Sequence, residues 1–419
     1  MQARLQGFFK TFGPGLIFAS TAIGVSHLVQ STRAGANYGM AMIYIVTLTN
    51  ILKYPFFEYG SRYANATGRS LIDGYRQLGK GMLWLYFLIT IGSLFFVCGA
   101  VGAVTAGFMD NLFGISARVP NGGVITTFAL FAICILMLLI GKYRILDSMM
   151  KIIGVVMVLS TLVAYLLSLA KGPSPVVEGF VPPEHWEVGF MIALMGWMPT
   201  AVDMSTWNSL WTIARIEQSG YKPTLRQTLL DFNIGYIVTS VLAIFFVTLG
   251  AYMLYGTGKV MPEGSAGFAH AVVSLYTETM GHWTYIIIAA SAFSIMFGTS
   301  LAVFDGYARS LERTTELLFL SESKAEQALK NRSFYIGCLL VIGIGSFLVI
   351  TFFGSSMKKL VDFATTMSFL IAPVIAVANY ILVAKRIPTE ARPKTAMHVL
   401  SWMGILSLTA FSIYFLIYG

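Results

Sequence analysis

Apolar runs of about 20 residues recur along the whole chain of 419 residues, each long enough to cross a hydrocarbon core of roughly 30 Å as a helix. Hydrophobic residues make up 56% of the chain and charged residues only 11%, which excludes a soluble catalytic domain. The sequence therefore predicts an all-α, multi-pass integral membrane protein. The eleven predicted transmembrane helices, numbered below as spans, are residues 13–35, 40–63, 82–109, 124–141, 148–170, 189–213, 229–255, 282–308, 334–353, 360–384 and 395–418.

The positions of the basic residues predict how these spans are oriented. With the N-terminus in the cytoplasm, 21 of the 28 Lys and Arg residues fall on the cytoplasmic side, six fall outside, and Lys53 lies within span 2. This distribution satisfies the positive-inside rule. The formal charge of +9 therefore reflects topology and contact with the lipid bilayer, and it predicts no nucleic-acid partner. We expect a bacterial inner-membrane protein with its N-terminus in the cytoplasm and its C-terminus outside.

Spans 1 and 6 contain the segments least suited to an uninterrupted membrane helix. Proline removes a backbone donor and clashes with the preceding turn, so span 6 should kink or unwind at Pro199. Unwound backbone at that depth is tolerated only where it faces protein or a watery cavity. The polar or helix-breaking residues of the two segments are Gly24, Ser26, His27, Gln30, Gly196, Pro199 and Asp203.

Two broken helices, each the first of a group of five spans, are typical of an inverted-repeat transporter with its site at the bilayer midplane. We therefore predict a 5+5 inverted repeat, like that of LeuT, and secondary-active transport by alternating access. The predicted divisions are a cytoplasmic N-terminus (1–12), a first repeat of spans 1–5 (13–170), an outer loop (171–188), a second repeat of spans 6–10 (189–384), and an inner loop with span 11 (385–419).

Short motifs in spans 1, 2 and 6 resemble those of one transporter family. They are Gly13-Pro-Gly15, Ala34-Gly-Ala-Asn-Tyr-Gly39, Ala66-Thr-Gly-Arg-Ser-Leu71 and Met198-Pro199. They are similar to motifs of the natural-resistance-associated macrophage proteins (Nramp), which are proton-coupled divalent-metal transporters. The resemblance implies the eleven-helix architecture of the amino-acid/polyamine/organocation superfamily.

The departures from that family bear on the substrate. Where Nramp proteins carry Asp-Pro-Gly-Asn, this chain has Gly24-Val25-Ser26-His27, so the metal-binding carboxylate is missing. Met198 matches the metal-ligating methionine of the family, Met195 the small residue one turn earlier, and Thr200 replaces the family's histidine. A divalent ion would have to rely on soft, poorly neutralising ligands, which makes manganese and magnesium doubtful substrates.

A second resemblance concerns sodium. Ala22 to Val25 in span 1, together with Thr299 and Ser300 in span 8, are similar to the sodium site of sodium-coupled members of the superfamily. In those proteins, carbonyls of span 1 and two adjacent hydroxyls of span 8 surround one ion. Na⁺ is therefore the candidate coupling ion for symport, and no other cofactor is predicted. The alternative for the two hydroxyls is bonding back to their own helix.

Three functional hypotheses remain open. The first is uptake of a small polar organic solute with sodium. The second is transport of a divalent metal by His27, Met198 and Asp203, and the third is a membrane sensor on a transporter scaffold. No nucleotide-binding loop or catalytic set is present, so we predict that the protein is not an enzyme. The predicted substrate-binding residues are Gly24, Ser26, His27, Gln30, Met195, Met198, Thr200 and Asp203.

Overall fold

The computed structural model describes residues 13–320, 333–353 and 356–419, except for the side chains of residues 141–154, 157 and 279. All regular structure in these residues is helical. The predicted N-terminal segment 1–12 lies outside the described residues. The helices up to the long outer loop are α1 (Pro14–Ala22), a π-helix (Ser26–Ser31), α2 (Thr32–Tyr38), α3 (Met42–Thr67), α4 (Leu71–Leu78), α5 (Lys80–Phe113) and α6 (Gly122–Lys171).

The helices after the outer loop are α7 (Val188–Gly196), α8 (Met204–Ser219), α9 (Leu225–Leu254), α10 (Ser265–Met280), α11 (Tyr285–Phe319), α12 (Ser333–Phe353), α13 (Met357–Lys385) and α14 (Thr395–Tyr418). The described residues also contain three short 3₁₀ turns, at Gly39–Ala41, His282–Thr284 and Thr389–Ala391.

Eight helical stretches of the described residues are long and apolar enough to cross a membrane. The prediction of eleven spans differs from this number for two reasons. Spans 1 and 6 are divided into the short pieces α1 and α7–α8, and predicted span 5 is the second half of the long continuous helix α6, whose residues 122–140 count as one crossing. The count of eleven stays a prediction.

The segment between predicted spans 4 and 5 differs from the expected inner loop. Helix α6 is continuous through residues 142–147. Lys142 and Arg144 are good helix formers, and no proline or glycine lies in residues 142–147, so charge alone does not end the helix.

Both predicted helix breaks are present. In span 1, α1 ends at Ala22 and the π-helix begins at Ser26. In span 6, α7 ends at Gly196 and α8 begins at Met204, with a cis peptide bond between Met198 and Pro199. Residues 23–25 and 197–203 therefore interrupt the two helices.

Helix α9 fixes the position of span 1. The Asp231 carboxylate accepts hydrogen bonds from the backbone amides of Gly13 (3.2 Å) and Gly15 (2.7 Å), where an anion complements the start of α1. Further along, a Cβ atom on Gly35 would lie 2.0 Å from the Val247 carbonyl oxygen. Gly15 and Gly35, one from each of the two motifs in span 1, therefore allow the backbone of span 1 to pack directly on the backbone of α9.

Ion pairs fasten the helix ends that the loop charges predict to be cytoplasmic. Glu58 pairs with Arg62 (2.5 Å), and Asp305 pairs with Arg309 (2.8 Å). Arg62 also donates to the Ala391 carbonyl (2.6 Å), beyond α13. Each ion pair joins residues four apart and so links successive turns of one helix. The bond to Ala391 also connects α3 to the segment that precedes α14.

Candidate functional site

A small cavity lies where the two helix breaks meet. Its volume is about 30 Å³, which is room for one or two water molecules. The lining is mainly apolar and aromatic, and none of the lining residues is charged. They are Thr21, Ala22, Val25, Ser26, Val97, Val101, Trp197, Thr200, Ala201, Met204, Trp207, Thr299, Val303 and Tyr307.

Span 1 forms one wall of the cavity and packs closely on α11. A Cβ atom built on Gly24 would lie 2.7 Å from both Oγ1 and Cγ2 of Thr299. A real Cβ atom does not approach another heavy atom so closely, so position 24 has no space for a side chain. Ser26, next on this wall, donates its hydroxyl to the Ala22 carbonyl across the break.

Span 6 and its neighbours form the opposite wall. The Trp197 indole nitrogen donates to the Ser368 hydroxyl on α13 (2.9 Å). The Thr200 hydroxyl donates to the sulfur of Met204 at 2.7 Å. The rings of Trp207 and Tyr307 meet edge to face, 4.7 Å apart. Two predicted site residues, Ser26 and Thr200, therefore lie at the same cavity.

His27 faces α9 and not the cavity. Its Nε2 lies 2.9 Å from the Thr239 carbonyl, which can only accept, so this nitrogen carries a hydrogen. Its Nδ1 lies 2.7 Å from the Ser26 hydroxyl, and its ring meets the edge of Phe246. The side chain is fully buried by these contacts. The imidazole is thus a hydrogen-bonded interior group.

The three side chains of the hypothetical metal site are not brought together at the cavity. Met198 is fully buried and, like Met195, is absent from the lining. Asp203 precedes the first turn of α8 and is 92% buried, and its charge interacts with Lys53. His27 points to α9, as described above. The described residues also contain no group of three or more His, Cys, Asp or Glu side chains that could hold a metal ion.

Comparisons with known proteins establish the family. The model of the natural resistance-associated macrophage protein-like family matches residues 15–418. The chain belongs to this Nramp family. A search of curated proteins finds 33% identity to the uncharacterized protein PM0681 of Pasteurella multocida, over 97% of this chain and 92% of that protein. The predicted family resemblance is confirmed.

Solved structures agree with this membership in fold. A mutant of the Eremococcus coleocola manganese transporter matches with a TM-score of 0.70 and 15% identity, over 97% of this chain and 86% of that chain. Mhp1, a nucleobase-cation-symport-1 family transporter with bound bromovinylhydantoin, matches with a TM-score of 0.60 and 15% identity, over 96% and 90%. The Nramp family and these LeuT-fold neighbours are transporters, so this chain is a membrane transporter and not an enzyme.

In this Nramp-family chain, the two hydroxyls of the hypothetical sodium site point to different helices. Thr299 Oγ1 lies 3.0 Å from the Ser20 carbonyl of span 1 and 3.1 Å from Ile295 of its own helix. Ser300 Oγ lies 2.8 Å from the hydroxyl of Thr105 on α5. Thr299 alone reaches span 1 beside Ala22 and Val25.

Gln30 belongs to a polar network at the opposite end of the bundle from the ion pairs of Arg62 and Arg309. Arg33 forms two hydrogen bonds with the Asp362 carboxylate, at 2.6 and 2.9 Å. Gln30 donates to Asp362 (3.0 Å) and Thr365 (3.3 Å) and accepts from Arg33 (2.9 Å). The network joins span 1 to α13, so Gln30 connects helices and does not line the cavity.

Lys53, inside predicted span 2, has a role that the sequence alone does not predict. Its side chain is fully buried, and Nζ donates to the carbonyls of Met195 (3.0 Å), Gly196 (3.0 Å) and Thr200 (2.8 Å). An ionisable residue inside a membrane helix is a candidate functional residue by default, so the position of Lys53 within span 2 is the sequence feature that marks it. The unwound backbone of span 6 is thus held by a charge from α3.

Proposed function

We propose that this Nramp-family transporter moves a small, uncharged polar solute by alternating access around the cavity between the two helix breaks. The single observation that carries the proposal is the chemistry of the cavity lining, which has hydroxyls and aromatic rings but no charged side chain. A dehydrated divalent cation requires carboxylate or other strong ligands at the midplane, whereas a neutral solute is recognised by hydroxyls and exposed backbone amides.

The topology is part of the same proposal. We infer eleven spans arranged as two inverted repeats of five, an N-terminus in the cytoplasm and a C-terminus outside, in the bacterial inner membrane. The loop charges support the orientation, and the two broken helices support the repeat. Because the cavity holds only one or two water molecules, a larger solute must enter when the helices around it separate.

The test is a binding screen followed by one pair of variants. The purified protein is screened by thermal shift against small metabolites and divalent metals, and each hit is then measured by uptake into proteoliposomes. In Val101→Phe the added ring fills the cavity, so we expect loss of both the thermal shift and uptake. Val341→Phe is the matched control, because Val341 is exposed on the outer face of α12.

A metal that binds with unchanged affinity in Val101→Phe, in the absence of any metabolite hit, would overturn the solute proposal. Divalent-metal transport is the second candidate, and the Eremococcus coleocola manganese transporter at a TM-score of 0.70 favours it. It requires His27, Met198 and Asp203 to converge in another conformation. Calorimetry with manganese, cobalt, cadmium and magnesium tests it, since His27→Ala must then weaken metal binding.

Sodium coupling is a further part of the proposal. Thr299 supports it, because its hydroxyl donates to the Ser20 carbonyl near the end of α1 (3.0 Å) and its side chain packs against Gly24 in the break of span 1. We expect Thr299→Ala to abolish sodium-dependent stabilisation and uptake, and Ser300→Ala to retain them, since Ser300 contacts Thr105 on α5. The pair is matched, because each variant removes one buried hydroxyl from neighbouring positions. An unchanged sodium response in Thr299→Ala contradicts this site.

A further inference from the structure

The ammonium group of Lys53 lies at the interrupted backbone of span 6. Lys53 is near the middle of α3 and has no solvent-exposed surface. Its three N–H donors are matched by three backbone carbonyls, those of Met195, Gly196 and Thr200, at 2.8 to 3.0 Å. We call these three carbonyl oxygens the span-6 cage. The ammonium also lies 5.9 Å from the centre of the Phe57 ring.

The span-6 cage exists because α7 ends inside the protein. The last carbonyls of a helix have no partner within it, and they carry the negative end of the helix dipole. Met195 and Gly196 are the last two residues of α7, and Thr200 follows Pro199 in the interrupted segment. In broken-helix transporters, such half-helix ends and unwound carbonyls are where coupling cations bind. The cage therefore has the chemistry of a cation site.

Asp203 supplies a negative charge to the same region. Its carboxylate is buried at the end of the interrupted segment and interacts electrostatically with Lys53. A buried ammonium is tolerated only when hydrogen bonds and an opposite charge compensate its lost hydration. Carbonyls, carboxylate and ammonium together meet that requirement with groups of this chain alone.

We propose that Lys53 is a resident cation of this transporter: its ammonium occupies the span-6 cage, where it replaces a free cation and excludes metal or alkali ions from that position. The lysine is a positioning and specificity-determining residue, since it holds the span-6 backbone beside the cavity and does not itself line it. The inference goes beyond the proposed function, because it concerns what fills the cage and not which solute moves.

Removal of the ammonium should create a binding site for a small cation. Lys53→Ala deletes three methylene groups and the ammonium, which is the shape of n-propylammonium. We expect the melting temperature of purified Lys53→Ala to fall by about 5 °C or more, because all three buried carbonyls lose a charged donor, although the Met195 carbonyl keeps the Met198 backbone amide (3.3 Å). Added n-propylammonium chloride should restore most of that loss, in a saturable manner. N-methyl-D-glucamine chloride at equal ionic strength, which is too large for the site, should restore none.

Two control variants make the rescue specific. Lys53→Met fills nearly the same volume without a charge, so it should be destabilised and should not respond to n-propylammonium. Lys80→Ala removes an exposed lysine at the start of α5 and should behave as the parent chain does. Sodium and potassium chloride are tested in parallel on Lys53→Ala and on Lys53→Ala/Thr299→Ala. If an alkali ion raises the melting temperature of both variants, the ion binds in the span-6 cage and not at Thr299.

Several outcomes would overturn the proposal. One is a Lys53→Ala protein as stable as the parent chain. Another is a destabilised protein that no cation rescues, which would leave Lys53 as an ordinary hydrogen-bond donor. If Lys53→Ala yields no folded protein, the test is the amount of folded Lys53→Ala recovered from cells grown with and without n-propylamine. Recovery of folded protein only with the amine supports the proposal, and failure in both overturns it. The readout is binding and stability, so failure of the proposed solute transport would leave this result unaffected.

Discussion

The breaks in span 1 and span 6 line the same cavity, but their backbone groups are satisfied in different ways. At the span-1 break, the Ser26 hydroxyl returns to the Ala22 carbonyl, and the chain resumes as a π-helix at once. At the span-6 break, seven residues separate the two helices, and the Lys53 ammonium from α3 binds three of the carbonyls around it. The first break is closed largely by its own segment, and the second depends on a neighbouring helix.

The two breaks also differ in what surrounds their glycines. Gly24 in span 1 faces the side chain of Thr299, whereas Gly196 in span 6 faces backbone, since a Cβ there would lie 2.0 Å from the Thr365 carbonyl oxygen. A side chain can rotate or be shortened, but a helix backbone cannot yield without moving α13. Span 6 should therefore be the less tolerant of the two breaks.

The largest effect is expected for Gly196→Ala. The added methyl group collides with the Thr365 carbonyl, and this overpacking should cost about 3 kcal/mol or more. We expect a marked loss of folded protein and of melting temperature in detergent. Gly189→Ala is the control in the same helix, where the nearest atom to the new Cβ is a Glu187 carboxylate oxygen 4.0 Å away. Equal stability of the two variants would contradict close packing of α7 on α13.

A smaller and reversible effect is expected for Gly24→Ala. The new methyl group meets Oγ1 and Cγ2 of Thr299, so the free energy of unfolding should fall by about 1–3 kcal/mol. In the Thr299→Ala background the same substitution should cost much less, because both colliding atoms are gone. The measurement is a double-mutant cycle on melting temperature. Additive effects would show that position 24 is not packed against Thr299.

His27→Leu tests whether the imidazole is an interior group or a ligand. The substitution leaves the Thr239 carbonyl without its partner, which should cost about 1–3 kcal/mol. His27→Gln keeps a donor and should recover part of this loss. Since His27 does not line the cavity, the KM of whichever solute is identified should change little in both variants. A KM that rises in both variants while stability is unchanged would show that His27 contacts the solute.

The sequence allowed the two breaks to be predicted because their signals are local: Gly24 and Pro199 disturb a helix wherever it packs. The directions of the side chains were less predictable. The residues of a π-helix fall on different faces from those of an α-helix, and nothing in the sequence of Ser26–Ser31 marks a π-helix in advance. The contact of His27 with α9 could therefore not be predicted. Ser300 could not be separated from Thr299 for a similar reason, since its partner Thr105 is on a different helix.

The placement of Lys53 required knowledge of helix neighbours. Its sequence position shows a charge inside a membrane helix, but not that α3 passes the end of α7. The positions that correspond to Nramp motifs include residues 24–27 and 198–200, whereas Lys53 lies on α3 at a position that matches no motif. Intramembrane charges outside the recognised motifs are therefore the first residues to locate in the structure of a transporter of this family.

The smallest effect is expected for Trp197→Phe, the first residue of the span-6 break. The substitution keeps an aromatic ring at the cavity wall but loses the hydrogen bond from the indole nitrogen to Ser368. A single buried hydrogen bond contributes about 0.5–1.5 kcal/mol, so the melting temperature should fall only slightly. Ser368→Ala should cost a similar amount, and the double variant little more, because the two groups serve one contact. Strict additivity would contradict this, and a loss as large as that of Gly196→Ala would mean that side-chain contacts to α13, and not the backbone approach at Gly196, position the break.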